Sequence, residues 1–177
     1  MSETQIIPSD CHDSMQQVAF LRKHPLYRSS YQRLEDLEYD RIFCRHQMTH
    51  LLDVARIAYI HNLERGLGIR KELIYAAALL HDIGKYRQYE DGTPHELASE
   101  AIAATILSDM PEPICFTPEE KQQILTAIRG HRRLRQDAEP LEALLYESDK
   151  ASRACYACQA ETDCNWSNNK KNMEILL

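Results

Sequence analysis

The sequence predicts an all-α protein folded as a single domain, and three observations carry that expectation. Among 177 residues there are only 5 glycines and 7 prolines against 44% apolar residues, which suits helices joined by few tight turns. Apolar residues recur at helical spacing and run almost unbroken from Ile74 to Leu80. Two tetrapeptides, Thr93-Pro94-His95-Glu96 and Thr117-Pro118-Glu119-Glu120, join an N-cap Thr, a Pro at the first helical position and a Glu three after the cap. That combination is a helix start. A chain of this length can bury a substantial core.

Each element follows from the local sequence. Residues 1–13 read as a polar lead-in with His12 exposed. A helix is expected from Ser14 to about Lys23, with Pro25 ending or redirecting it. Tyr27 to Tyr39 sets Tyr27, Tyr31, Leu34 and Glu38 at helical spacing and reads as a packing helix. The helix expected from Arg45 to Arg65 carries His46, His50, Val54, Ile57, Ala58 and His61 on one broad face, with Arg45 beside any pocket there. His46 and His50 are i and i+4 neighbours, so spacing alone does not choose between them. Both can even bind one ion. Gly66 and Gly68 stop that helix. Lys71 to His81 is apolar nearly all round and therefore central. The start at Thr93 sets His95 in a first helical turn, beside free backbone N–H groups. The helix from Thr117 reaches His131 near its end. Pro140 opens the last core helix, with Leu141, Leu144, Leu145 and Ser148 on one side and Asp149 beside them. No repeat, low-complexity tract or long linker interrupts the chain.

The chemistry concentrates in Ala76 to His95, AAALLHDIGKYRQYEDGTPH. His81 and Asp82 close a buried helix, and a desolvated carboxylate costs several kcal/mol unless it is paired or bound to metal. Two readings stay open on this dipeptide. It is a hydrogen-bonded pair, or both members reach one ion off the helix end, where the backbone loosens before Gly84.

His50 opening HLLDVARIAYI and Asp149 in YESDKASR complete a pattern. From Cys44 to Arg153 the chain resembles the HD superfamily of metal-dependent phosphohydrolases, and HDIGK at residues 81–85 is a specific form of its motif. The resemblance implies an HD-domain helical bundle with a metal site between core helices. Residues 1–43 would be a helical extension, 44–153 the HD domain, and 154–177 a cysteine-containing tail packed on the same domain. It implies His50, His81, Asp82 and Asp149 as metal ligands, with His46 just outside them. His95 and His131 match in order the extra histidines by which some subfamilies hold a second metal, with Asp82 bridging. Here His131 is followed by Arg132, where many such proteins have a second His. One or two divalent transition ions (Fe, Mn, Ni, Co or Zn) suit this mixed N/O set. Asp82 and Lys85 would be catalytic, Lys85 as a point charge on a phosphate oxygen. Within the basic run Arg129 to Arg135, Arg132 and Arg133 would join Lys85 in binding substrate. The implied reaction is hydrolysis of a phosphomonoester, phosphodiester or phosphoanhydride of a small molecule, a nucleotide above all, by a metal-activated water. The alternatives are a di-iron oxygenase of the same fold and a non-catalytic ligand- or partner-binding module.

A net charge of −6 argues against a nucleic-acid polymer as partner. A small anionic substrate is compatible, because divalent ions reverse the local field. No apolar run reaches the roughly 18 residues that span a bilayer. The opening MSETQIIPSD lacks the basic and apolar regions of a secretory signal, so a cytoplasmic protein without membrane partners is expected. The 6 cysteines then read as thiols or metal ligands rather than disulfides. Cys155, Cys158 and Cys164, with Cys44 as a fourth, are candidates for a structural zinc or iron–sulfur site, or else packed thiols. Cys11 and Cys115 read as incidental. The oligomeric state is left open.

Overall fold

A computed structural model describes residues 15–175, in which eight α-helices and two single 3-10 turns, Glu112–Ile114 and Cys155–Ala157, are joined without a strand among the described residues. The helices are α1 Gln16–Lys23, α2 Pro25–Leu37, α3 Met48–Glu64, α4 Lys71–Leu80, α5 Lys85–Glu90, α6 His95–Ser108, α7 Pro118–Gly130 and α8 Pro140–Ala151. The lead-in with Cys11, His12 and Ser14 lies outside the described residues.

Helix α4 is the hub. Leu73, Ile74 and every residue from Ala76 to Leu80 are buried, so the helix needs partners on all sides. It packs against α3 and α7, these both pack against α8, and α1 and α6 cover what remains. The core is filled by Leu51, Val54, Ile106, Ile124, Ile128 and Leu144 among others. Burying such side chains drives the assembly, at about 25 cal/mol per Å² of apolar surface removed from water.

Local chemistry fixes the ends. Gly66 and Gly68 follow α3 with φ of 62° and 70°, the left-handed region that glycine enters without Cβ strain. Thr117 caps α7 in a reciprocal capping box, its hydroxyl accepting from the Glu120 N–H at 3.2 Å. Thr93 does not do the same for α6. Its hydroxyl and its N–H both donate to Asp91 Oδ1, at 2.6 and 3.0 Å, and α6 starts at His95 without a side-chain cap. The Asp91 turn takes the hydroxyl first.

The start of α3 is a second departure. The helix opens at Met48, so His46 and Arg45 lie in the extended segment before it rather than on its face. Buried Glu38 accepts from the His46 backbone N–H and ring, both at 2.6 Å, and Tyr31 Oη accepts from the Met48 N–H at 2.7 Å. These tertiary bonds outweigh the helical periodicity. Arg45 is exposed and turns back to the Arg41 carbonyl.

Candidate metal centre

Five helix ends meet at a single point. His50 projects from the second residue after the α3 start, His81 and Asp82 follow α4, His95 opens α6, His131 closes α7 and Asp149 stands near the end of α8. All are buried except His50, which is nearly so. Asp82 is the hub of the cluster. Its Oδ2 lies 3.1 Å from His81 Nε2 and 3.6 Å from His50 Nε2, while its Oδ1 lies 3.3 Å from His95 Nε2 and 3.6 Å from His131 Nε2. Asp149 Oδ1 completes the first side, 3.4 Å from His50 Nε2 and 3.7 Å from His81 Nε2. Two donor sets result, His50–His81–Asp82–Asp149 and Asp82–His95–His131, sharing Asp82.

The hydrogen bonds outside the cluster fix what each imidazole offers inside it. His81 Nδ1 donates to the Ala78 carbonyl at 2.7 Å and His131 Nδ1 to the Ile128 carbonyl at 2.6 Å. His95 Nδ1 donates to Gln88 Oε1 at 2.5 Å, and His46 Nδ1 to Glu38. The Ser152 hydroxyl gives its proton to the Asp149 carbonyl, so its oxygen accepts from His50 Nδ1 at 3.2 Å. In the neutral tautomers these partners select, every Nε2 carries a lone pair, and all five point toward Asp82. His95 Nε2 and His131 Nε2 face each other at 3.1 Å with no proton to share. His50 Nε2, His81 Nε2 and Asp82 Oδ1 are buried without a hydrogen-bond partner. Converging lone pairs and carboxylates, unpaired and out of water, repel one another unless a cation sits among them. The residues therefore fit divalent transition ions, and the outward Nδ1 bonds are the usual support of metal-binding histidines.

Protons meet the same demand. Burial opposes a charge on His81, yet Asp82 and Asp149 outweigh it and push this imidazole up to about 10. His95 moves the other way, to about 2, because burial with Lys85 and His131 beside it outweighs Asp82. Both carboxyls resist burial and stay well below the usual range, Asp82 through His81 and His46, Asp149 through Arg153 and His50.

A cavity of about 1190 Å³ opens over the cluster. Lys85 lines it, its Nζ 3.3 Å from Gln88 Oε1 and from His95 Nδ1, and it has no carboxylate partner among the described residues. Arg132 lines it too and pairs with Glu96 at 3.1 Å. Arg133 does not line the cavity. It is exposed, since the turn after α7 carries it away. Arg135 is bound by Glu142 on two edges, at 2.9 and 2.6 Å, and Arg129 pairs with Glu100.

Among the described residues, the cysteines form no second donor set. Donor atoms of three or more His, Cys, Asp or Glu residues gather within 4.8 Å at the two sets above, and neither includes a thiol among the described residues. Cys44 is exposed, and Cys155, Cys158 and Cys164 are half-buried. The near-repeat Cys155-x-x-Cys158 falls in a 3-10 turn and does not close on Cys164 into a donor set.

Sequence reasoning missed Glu38, Gln88 and Arg153. Glu38 orients His46, Gln88 orients His95, and Arg153 Nη2 contacts both oxygens of Asp149, at 3.2 and 3.3 Å. Arg153, four residues after Asp149 and just past the end of α8, carried the one usable signal, the i, i+4 spacing. Glu38 and Gln88 carried none, since their partners are distant or across a loop.

Comparison with known proteins agrees with this geometry. Residues 48–162 match the family described as HD domain. A protein of Clostridium beijerinckii (strain ATCC 51743 / NCIMB 8052), described as an uncharacterized protein, is 46% identical over 143 residues, covering 81% of this chain and 87% of that one. No solved structure matches the chain. No helix among the described residues is long and apolar enough to cross a membrane.

Proposed function

The chain belongs to the HD-domain family, and from that premise we propose that it is a hydrolase of phosphate esters or anhydrides in small molecules, with a nucleotide as the substrate class and two metal ions in the centre. The observation that carries the reading is the convergence of imidazole lone pairs on both oxygens of Asp82, beneath a cavity lined by Lys85. His50, His81, Asp82 and Asp149 would hold one ion, and Asp82, His95 and His131 the other. Bound there, divalent ions supply Lewis-acid polarisation of a phosphoryl oxygen and acidify water.

The chain's own residues supply the rest. Lys85, without a carboxylate partner among the described residues, offers N–H donors to a non-bridging phosphate oxygen, and it is held at the cavity wall by Gln88. Arg132 adds positive charge at the rim, tethered by Glu96 rather than buried. A cavity of about 1190 Å³ is large enough for a nucleotide, whose ligand pockets run roughly 300–1,000 Å³.

The test is metal content by mass spectrometry together with phosphate release from a nucleotide panel, under air and under argon. About two ions per chain and oxygen-independent release support the reading. Asp82→Ala is expected to lose both ions and all turnover, since it removes the shared ligand. Lys85→Ala is expected to keep its metal and lose rate by about 10²-fold or more, the scale of removing one transition-state donor. A metal-replete protein that releases no phosphate from any nucleotide overturns it.

A further inference from the structure

The stretch after α8 has no part in the reaction above, yet it is built onto the metal centre through one residue. Arg153 is largely buried, and its Nη2 bridges Asp149 Oδ1 and Oδ2 at 3.2 and 3.3 Å. Its guanidinium carbon sits 4.4 Å from the ring centroid of Trp166, the only tryptophan in the chain. Its Nε is buried without a partner, so the group is held by the carboxylate on one side and the indole on the other. The segment bearing Trp166 is tied down independently. Asn172 Nδ2 donates to the carbonyls of Ala151 and Arg153 at 2.8 and 2.9 Å, and the Tyr156 N–H donates to the Asn172 carbonyl at 3.2 Å. Lys171 Nζ donates to the Glu161 carbonyl at 3.0 Å. Trp166, Asn169 and Asn172 form a wall of the cavity over the centre. Residues 154–175 are thus a strap whose contact with the centre runs through Arg153.

We infer that Arg153 is a positioning residue for Asp149, and that strap docking and metal retention are one coupled equilibrium passed through the Asp149–Arg153–Trp166 stack. The physical argument is direct. Asp149 presents Oδ1 toward His50 and His81 to serve an ion there, and Arg153 Nη2, within reach of both carboxylate oxygens, fixes the rotation of the group. A guanidinium is planar and can hydrogen-bond in its plane while stacking through its face, which a lysine ammonium cannot do. Trp166 is the best aromatic partner for that face and limits where the guanidinium can go. Coupling of this kind is reciprocal: an ion that orders Asp149 orders Arg153 and Trp166, and a docked Trp166 raises affinity for the ion. The inference rests on the metal-centre part of the reading above and is independent of the substrate.

The experiment titrates Zn²⁺ into metal-stripped full-length protein and follows Trp166 emission, with bound zinc counted by mass spectrometry. Zn²⁺ is d¹⁰ and does not quench paramagnetically, so an emission change reports the indole's surroundings. The parent is expected to give a saturable change that tracks zinc. Arg153→Ala is expected to weaken zinc about 10- to 100-fold, the cost of losing an outer partner of a ligand, and to lose the emission response. Arg153→Lys should fall between, and guanidinium ion added at millimolar level to Arg153→Ala should restore part of the affinity. Trp166→Ala, which removes a half-exposed side chain, should also weaken zinc, and Trp166→Phe should recover it. Lys71→Ala, which breaks a cation–aromatic contact with Tyr59 on another face, should change nothing. Zinc bound by Arg153→Ala and by Trp166→Ala as tightly as by the parent overturns the coupling. A parent that binds no zinc or other divalent ion overturns the metal centre itself.

Discussion

At the scale of single residues, Glu38 shows how a side chain outside the donor set shapes it. Its buried carboxylate accepts from the N–H and ring of buried His46 and from Oη of the more exposed Tyr89 at 2.7 Å. Burial alone would raise this carboxyl, but the hydrogen bonds and charge of His46, with Tyr89, hold it below its ordinary value. A depressed carboxyl contributes stability that is present above its unfolded pKa and is lost as pH falls through the folded one. Glu38→Gln is therefore expected to cost about 1.5–3 kcal/mol at pH 7, the range for hydrogen bonds to a charged group. Urea unfolding should find that deficit shrinking below about pH 4, as the parent's own Glu38 takes up its proton.

At the scale of elements, the site depends on how tightly the corner after α4 presses on α6. A Cβ built on Gly84 would stand 2.3 Å from the Ser99 backbone N and 2.5 Å from the Ala98 carbonyl carbon. Neither atom can swing aside as a side chain would. The Gly84 N–H also donates to Ser99 Oγ at 2.9 Å, pinning the corner to the helix that presents His95. Glycine is required here by close approach, since its φ of −92° suits any residue. Gly84→Ala is expected to cost about 3 kcal/mol or more, at the upper end of overpacking effects. Because α5 and α6 must separate for the methyl to fit, the same variant should lose the ion proposed at Asp82, His95 and His131 before the other, read as a drop in metal stoichiometry.

At the scale of the whole molecule, the cluster gathers candidate ligands from α3, the α4 corner, α6, α7 and α8, so ions bound at both donor sets would cross-link nearly the entire bundle. Unfolding separates these ligands, and anything that binds only the folded state stabilises it by mass action. At free metal one hundred times its dissociation constant the gain is about 2.7 kcal/mol, or roughly 5–11 °C in Tm for a chain of this size. Stripping with a chelator is expected to lower Tm by that amount, and adding back metal to restore it. A calorimetric scan giving the same Tm with and without metal would contradict a centre that spans the bundle.

How much was legible divides along the range of the interactions. The helices of the core, the stops at Gly66 and Gly68 and the capping box at Thr117 were readable because periodicity, φ preference and capping are set by residues within a turn or two of each other. The HDIGK segment with His50 and Asp149 was readable as a family pattern, and HD-domain membership agrees with it. The start of α3 was not readable, since Glu38 and Tyr31 hold His46 and Met48 across a loop and override a helical periodicity that continues through His46. Nor was Thr93, whose hydroxyl is taken by Asp91. The sequence alone therefore determined the core helices, though not α5 or the start of α3, together with the fold class and the residue types available to the centre. Only the tertiary structure decided which lone pairs converge on which oxygen of Asp82, that Arg133 leaves the cavity while Arg132 stays, and that the cysteines among the described residues do not gather. Those outcomes depend on contacts between residues tens of positions apart, and a donor set, unlike a helix, has no energy until such distant residues meet.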